Sequence, residues 1–80
     1  MPPRKVKKAM IQRHRLGTAI RTRRIALHLT QGKLAEKAER SLNYVGNLER
    51  GAQNITFDML VHIAEALKTT IGELSTSANI

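Results

Sequence analysis

Eighty residues are enough for one domain, and a chain of this length buries only ~60–65% of the surface its unfolded form exposes, so its core is small. There is no cysteine, which excludes disulfides, thiolate metal sites and thiol nucleophiles, and the longest apolar runs fall far short of the ~18–20 residues a membrane span needs. The formal net charge is +8, and Arg4, Lys5, Lys7, Lys8, Arg13, Arg15, Arg21, Arg23 and Arg24 all precede the first acidic residue, Glu36; such asymmetry suits either a polyanionic partner, because cations that neutralise phosphates release condensed counterions, or a solvated basic segment that aids solubility.

With one Phe, one Tyr and no Trp, the core must be built from Leu, Ile, Val and Ala, a composition that favours a compact helical domain. Residues 1–12 carry Pro2-Pro3 and a Lys/Arg cluster with little helical periodicity, and read as a flexible basic arm, with partial helix from Met10 onward as the alternative; Arg4, Lys5, Lys7 and Lys8 are its candidate phosphate-seeking cations, the other reading being an arm that stays disordered. The folded domain is expected over 13–75, and 76–80 reads as a frayed polar tail. Helix 1 is predicted from about Arg13 to Leu27, with Leu16, Ile20 and Leu27 inward and Arg21, Thr22 and Arg23 outward, Arg23 as a stem with its charge in solvent.

Two short helices follow, within 30–49. Thr30 is a good N-cap for the first, which places Leu34, Ala35 and Ala38 on one face. Ser41 opens the second, with Val45 and Leu48 inward. Glu39 and Arg40 leave room for only a few turn residues between them, so the helices cross steeply and the second protrudes. Thr56 caps a fourth helix, with Asp58 in its first turn and Phe57, Leu60, Ile63, Ala64 and Leu67 inward. Thr70 caps a short fifth helix from Ile71 to about Ser75. Val61, Ile71 and Leu74 have few internal partners left and are the candidate dimer interface.

The ordered set Leu16, Ile20-Arg21, Arg24, Leu29-Thr30-Gln31, Leu34-Ala35, Tyr44-Val45, Leu48-Glu49-Arg50-Gly51, Leu60, Ile63-Ala64, Ala66-Leu67 and Leu74 resembles the lambda-repressor/Cro-type (XRE-like) helix-turn-helix transcriptional regulators. The small controllers of restriction-modification systems are similar in size. The resemblance implies an all-α, five-helix DNA-binding domain. It puts Leu42, Asn43, Gly46 and Asn47 at the base-reading positions, with Asn43 and Asn47 suited to adenine, Leu42 to a thymine methyl and Gly46 to close approach of the helix. Thr30, Gln31, Arg21, Arg40, Tyr44, Arg50, Gln53 and Asn54 are then candidates for the DNA backbone, and Arg24 with Glu49 match a structural ion pair. Two positions depart from the family pattern. His28 stands where a left-handed residue, commonly Gly, ends helix 1, and Glu39-Arg40 replaces Gly and an aliphatic residue in the turn.

His14, His28 and His62 share no metal-ligand spacing, and no nucleophile-base or paired-carboxylate arrangement is evident, so neither catalysis nor a cofactor is expected. The expected partners are double-stranded DNA and a second copy of the chain, on a palindromic or pseudo-palindromic operator in the cytoplasm, with a regulatory protein or RNA polymerase as further partners. The competing reading is an antitoxin-like or antiactivator-like module that binds another protein and only secondarily DNA.

Overall fold

The computed structural model describes residues 4–80, with side chains from Lys7 onward. The side chains of Arg4 and Lys5, counted among the arm cations, lie outside the described residues. The described residues form five helices: α1 (Arg4–Ala26), α2 (Gln31–Ala38), α3 (Leu42–Glu49), α4 (Phe57–Ala66) and α5 (Ile71–Ala78). Among them there is no strand, and no helix is long and apolar enough to cross a membrane.

Each of the last four helices starts on a hydroxyl. Thr30, Ser41, Thr56 and Thr70 accept hydrogen bonds from the backbone amides of Lys33, Tyr44, Met59 and Glu73 at 3.0, 3.0, 3.1 and 3.1 Å. Each cap satisfies a donor the helix cannot, a contribution of ~1 kcal/mol. The ends are as well defined: His28, Glu39, Lys68 and Asn79 take left-handed φ values of 58°, 56°, 54° and 59°. The turn after α1 therefore forms on His28, and the helix-turn-helix turn forms on Glu39, whose amide bonds to the Glu36 carbonyl while the Arg40 amide bonds to Ala35.

The core joins all five helices through Leu16, Ile20, Leu34, Val45, Leu48, Met59, Ile63, Leu67 and Leu74, with Ala35 and Ala38 allowing α2 to lie close to its neighbours. α1 packs against α3 and α5, and α2 against α3 and α4. Gly17 carries the α1–α3 approach, because a Cβ there would lie 2.5 Å from the carbonyl oxygens of both Leu48 and Glu49. Gly51, at φ 75°, comes nearly as close to the backbone of His14.

Several expectations are corrected. α1 begins at Arg4, so the segment read as a flexible arm is helical from that residue. No Pro or Gly falls between Arg4 and Leu16, and Lys, Arg, Ala, Met and Gln are good helix formers that propagate the helix without burying a face; hence its weak periodicity. α5 continues to Ala78, which is buried, and its end is fixed by left-handed Asn79, so 76–78 are not a frayed tail. Phe57 is 71% exposed, and Met59 fills the inward position instead. Arg23 is not simply a solvated charge: its Nε and Nη2 donate to the carbonyls of Leu67 (2.9 Å) and Lys68 (3.0 Å), the second at the surface, satisfying acceptors left at the end of α4. Leu74 is 3% exposed in the single chain and belongs to the core, leaving it no surface for a dimer interface.

Two glycines should respond oppositely to alanine. Gly17→Ala forces a methyl into backbone that cannot yield and is expected to destabilise by ~2 kcal/mol or more. Gly32→Ala, whose Cβ would meet nothing closer than the Thr30 hydroxyl at 3.9 Å, should stabilise by up to ~1 kcal/mol. Urea unfolding of both variants measures the pair.

Candidate nucleic-acid interface

α3 divides into two faces. Val45, Leu48 and Glu49 turn inward and are buried, whereas Asn43, Asn47 and Arg50 recur at i, i+4 and i+7 along the outward side, with Gly46 beside them. Leu42, in the first turn, is 58% exposed. The structure therefore brings the sequence-predicted reading residues onto one outward surface, with one correction. Gly46 is buried, because the Arg50 guanidinium folds back over it: a Cβ at 46 would lie 3.3 Å from Nη1 and 3.7 Å from Nη2, with Gln31 Oε1 at 3.8 Å.

The orientation of that surface is fixed from behind. Arg24 on α1 donates through Nε to Glu49 Oε2 (2.6 Å), through Nη2 to Oε1 (3.0 Å) and through Nη1 to the Leu29 carbonyl (2.8 Å). Gln31, the first residue of α2, adds a bond from Nε2 to Glu49 Oε1 at 3.1 Å. The side chains of Arg24 and Glu49 are only 11% and 3% exposed. The hydrogen bond to Glu49, together with its charge, holds Arg24 above its already high pKa despite desolvation. Gln31 thus spends one of the two N–H donors of its Nε2 on the ion pair and keeps the other, and beside it the Thr30 hydroxyl caps α2.

Tyr44 is half-buried, and burial pushes its hydroxyl above the usual phenol pKa, partly offset by the charge of Arg40. Arg40 itself is exposed. In the loop after α3, Gln53 Nε2 donates to the Asn54 carbonyl at 3.2 Å, and Arg13 of α1 bonds to Asn54 Oδ1. Arg21 is exposed and lies one turn after Gly17, in the row 13, 17, 21, 24 that runs along the side of α1 next to α3. Lys7 and Lys8 are exposed further along the same helix.

Gly17, and the Arg13–Asn54 contact that ties the loop to α1, escape the sequence reading. A glycine in the interior of a helix is a usable signal of close backbone approach; nothing local announces the Arg13 contact. Between α4 and α5, Val61 and Ile71 line a largely apolar groove of about 400 Å³ with Ala64, Glu65 and the Thr69–Gly72 segment.

The helix-turn-helix family HTH_3 matches residues 20–74, which include α2, α3 and α4 entire. The chain belongs to this helix-turn-helix family. Its lambda-repressor/Cro-type resemblance is accordingly one of descent as well as of motif. It is 34% identical over 61 residues, 76% of this chain and 73% of the relative, to the control protein C.SmaI of Serratia marcescens. The crystal structure of the clp gene regulator ClgR from C. glutamicum superposes with a TM-score of 0.84 at 29% identity, covering 85% of this chain and 87% of that one. The restriction-modification controller protein C.Esp1396I, solved as a tetramer in complex with its natural 35 base-pair operator, shares the fold at a TM-score of 0.75 and 22% identity, covering 86% of this chain and 96% of that one. This chain thus shares its fold with a clp gene regulator and with a restriction-modification controller protein.

The ion pair gives the scaffold a measurable signature. Glu49→Ala leaves the Arg24 charge buried and is expected to cost ~3–5 kcal/mol, while Arg24→Met combined with Glu49→Leu should recover most of that loss. Equilibrium denaturation of the single and double variants checks it, and additive losses would contradict the coupling.

Proposed function

We propose that the chain is a sequence-specific regulator of transcription that binds double-stranded DNA as a homodimer in the cytoplasm, by binding and not by catalysis. The observation that carries this reading is the outward row of α3: Leu42 and Asn43 stand exposed, with Asn47 and Arg50 behind them, on a helix whose opposite face is locked to α1 and α2 by a buried ion pair. A protruding helix of this kind fits the major groove, where Asn43 can pair with adenine through N6 and N7 and Leu42 can meet a thymine methyl. Around it, the N-terminus of α2 at Thr30, the turn residue Arg40, the Tyr44 hydroxyl, the loop residues Gln53 and Asn54, and Arg21 on α1 supply groups suited to phosphates. The cations of the α1 extension, Lys7 and Lys8 with Arg4 and Lys5, add a sequence-independent term.

One α3 reads only a few base pairs, so specificity requires two copies, with half-sites ~10 base pairs apart. The groove lined by Val61 and Ile71 is the face we assign to the partner copy. The operator bound by C.Esp1396I as a tetramer supports self-association on DNA for members of this fold. Regulation then follows from operator position: a dimer over a promoter excludes RNA polymerase, and one beside it is placed to contact the polymerase or a regulatory protein.

Selection from random duplexes tests the proposal. A symmetric enriched motif is expected, and binding without sequence preference would refute it. Asn43→Ala should relax preference at one base position per half-site by ~1–3 kcal/mol while leaving other positions intact. Deleting residues 1–8 should lower the magnitude of the salt slope of log K by ~0.9 for each phosphate that is no longer neutralised, measured by titration at several ionic strengths.

A further inference from the structure

We infer that Arg50 reads a guanine in each half-site and that Asn47 is its positioning residue; the inference rests on the DNA-binding reading above. The residues Asn43, Gly46, Asn47 and Arg50 fall at i, i+3, i+4 and i+7, and so occupy one side of α3. An arginine at a helix C-terminus can extend into solvent or lie back along the last turn. Arg50 does lie back: both terminal nitrogens sit over Gly46, and Nη2 donates to Asn47 Oδ1.

Three features make this a reading arrangement. Position 46 has no side chain beneath the guanidinium, and a Cβ there would lie 3.3 Å from Nη1, close enough that the end of Arg50 would have to shift by a few tenths of an ångström. The Asn47 carboxamide takes one of the five guanidinium N–H donors and fixes the plane of the fork, which leaves donors enough for the O6 and N7 acceptors that guanine offers side by side in the major groove. Arg50 as a whole remains exposed, so the fork is held without being buried. Asn47, with its acceptor engaged by Arg50, then acts through that residue, and direct adenine reading on this face falls to Asn43.

The test uses the full-length protein, with selection from random duplexes followed by affinities for single-base variants of the enriched site. The wild-type motif should hold a guanine in each half-site. Arg50→Lys keeps the charge and loses the planar fork; it should reduce preference for that guanine by about tenfold to a hundredfold while leaving the other positions and the salt slope unchanged. Asn47→Ala should relax the same position. Unchanged guanine preference in Arg50→Lys, or a uniform loss on all sequences, would overturn the inference in favour of a phosphate contact. Relaxation of a different position by Asn47→Ala would overturn the pairing. Absence of any motif for the wild type would overturn the regulator reading itself and this inference with it, and that outcome is visible before any substitution is made.

Discussion

Everything that gives α3 a direction depends on the buried pairing of Arg24 with Glu49. The pair joins the late part of α1 to the last residue of α3, and the remaining donors and acceptors reach the Leu29 carbonyl before α2 and the Gln31 amide at its start. Three helices therefore meet at one charge-assisted cluster, and the crossing of α2 and α3 is set by bonds with defined geometry instead of by apolar contact alone. Desolvating two ions is expensive, and here the cost is offset because the two Glu49 oxygens accept three bonds between them. Two leucines in the same place would pack, but they would leave the angle of α3 to the shape of its neighbours.

The cluster works only because backbone can approach it. Gly17 brings α1 against the final carbonyls of α3, and Gly51 lets the chain leave α3 alongside His14, so the end of α3 lies close against the backbone of α1 at two places. Elsewhere the chain uses less accommodating residues: His28, Glu39 and Lys68 adopt left-handed φ where glycine would fit with less strain, each at a penalty on the order of 1 kcal/mol. For a domain whose core is this small, such penalties narrow the margin, and association with a second copy would restore it by mass action.

How much of this could be read from the residues follows from which forces are local. Caps are local, and Thr30, Ser41, Thr56 and Thr70 each marked a real helix start. Apolar periodicity located most of the core, Ile20, Leu34, Val45 and Ile63 among it. It failed where burial does not drive the helix: the α1 extension is exposed all round from Lys7 to Gln12, so propensity alone sustains it and no stripe betrays it. It also failed at Phe57, the first residue of α4, where a large apolar side chain is aimed by helix phase away from the core and Met59 is aimed into it. Leu74 was legible as apolar and not as interior, because the surface that covers it comes from α1, far away in sequence. The Arg23 bonds to the end of α4 have the same long-range origin and no local trace.

The candidate surface shows a second division, between what holds α3 and what α3 presents. At eight residues the helix is too short to be stable alone, and its inner face, Val45, Leu48 and Glu49, supplies what propensity does not. None of those contacts involves Leu42 or Asn43, which stand free, and Asn47 and Arg50 bond only to each other through their side chains. Substitution along the outer row therefore changes the chemistry shown to a groove at little expense in folding, whereas substitution at Gly17, Arg24 or Glu49 changes the frame. Gly46 is the exception that links the two, because its missing side chain is at once a seat for Arg50 and a weak point in the helix, ~1 kcal/mol less favourable than alanine.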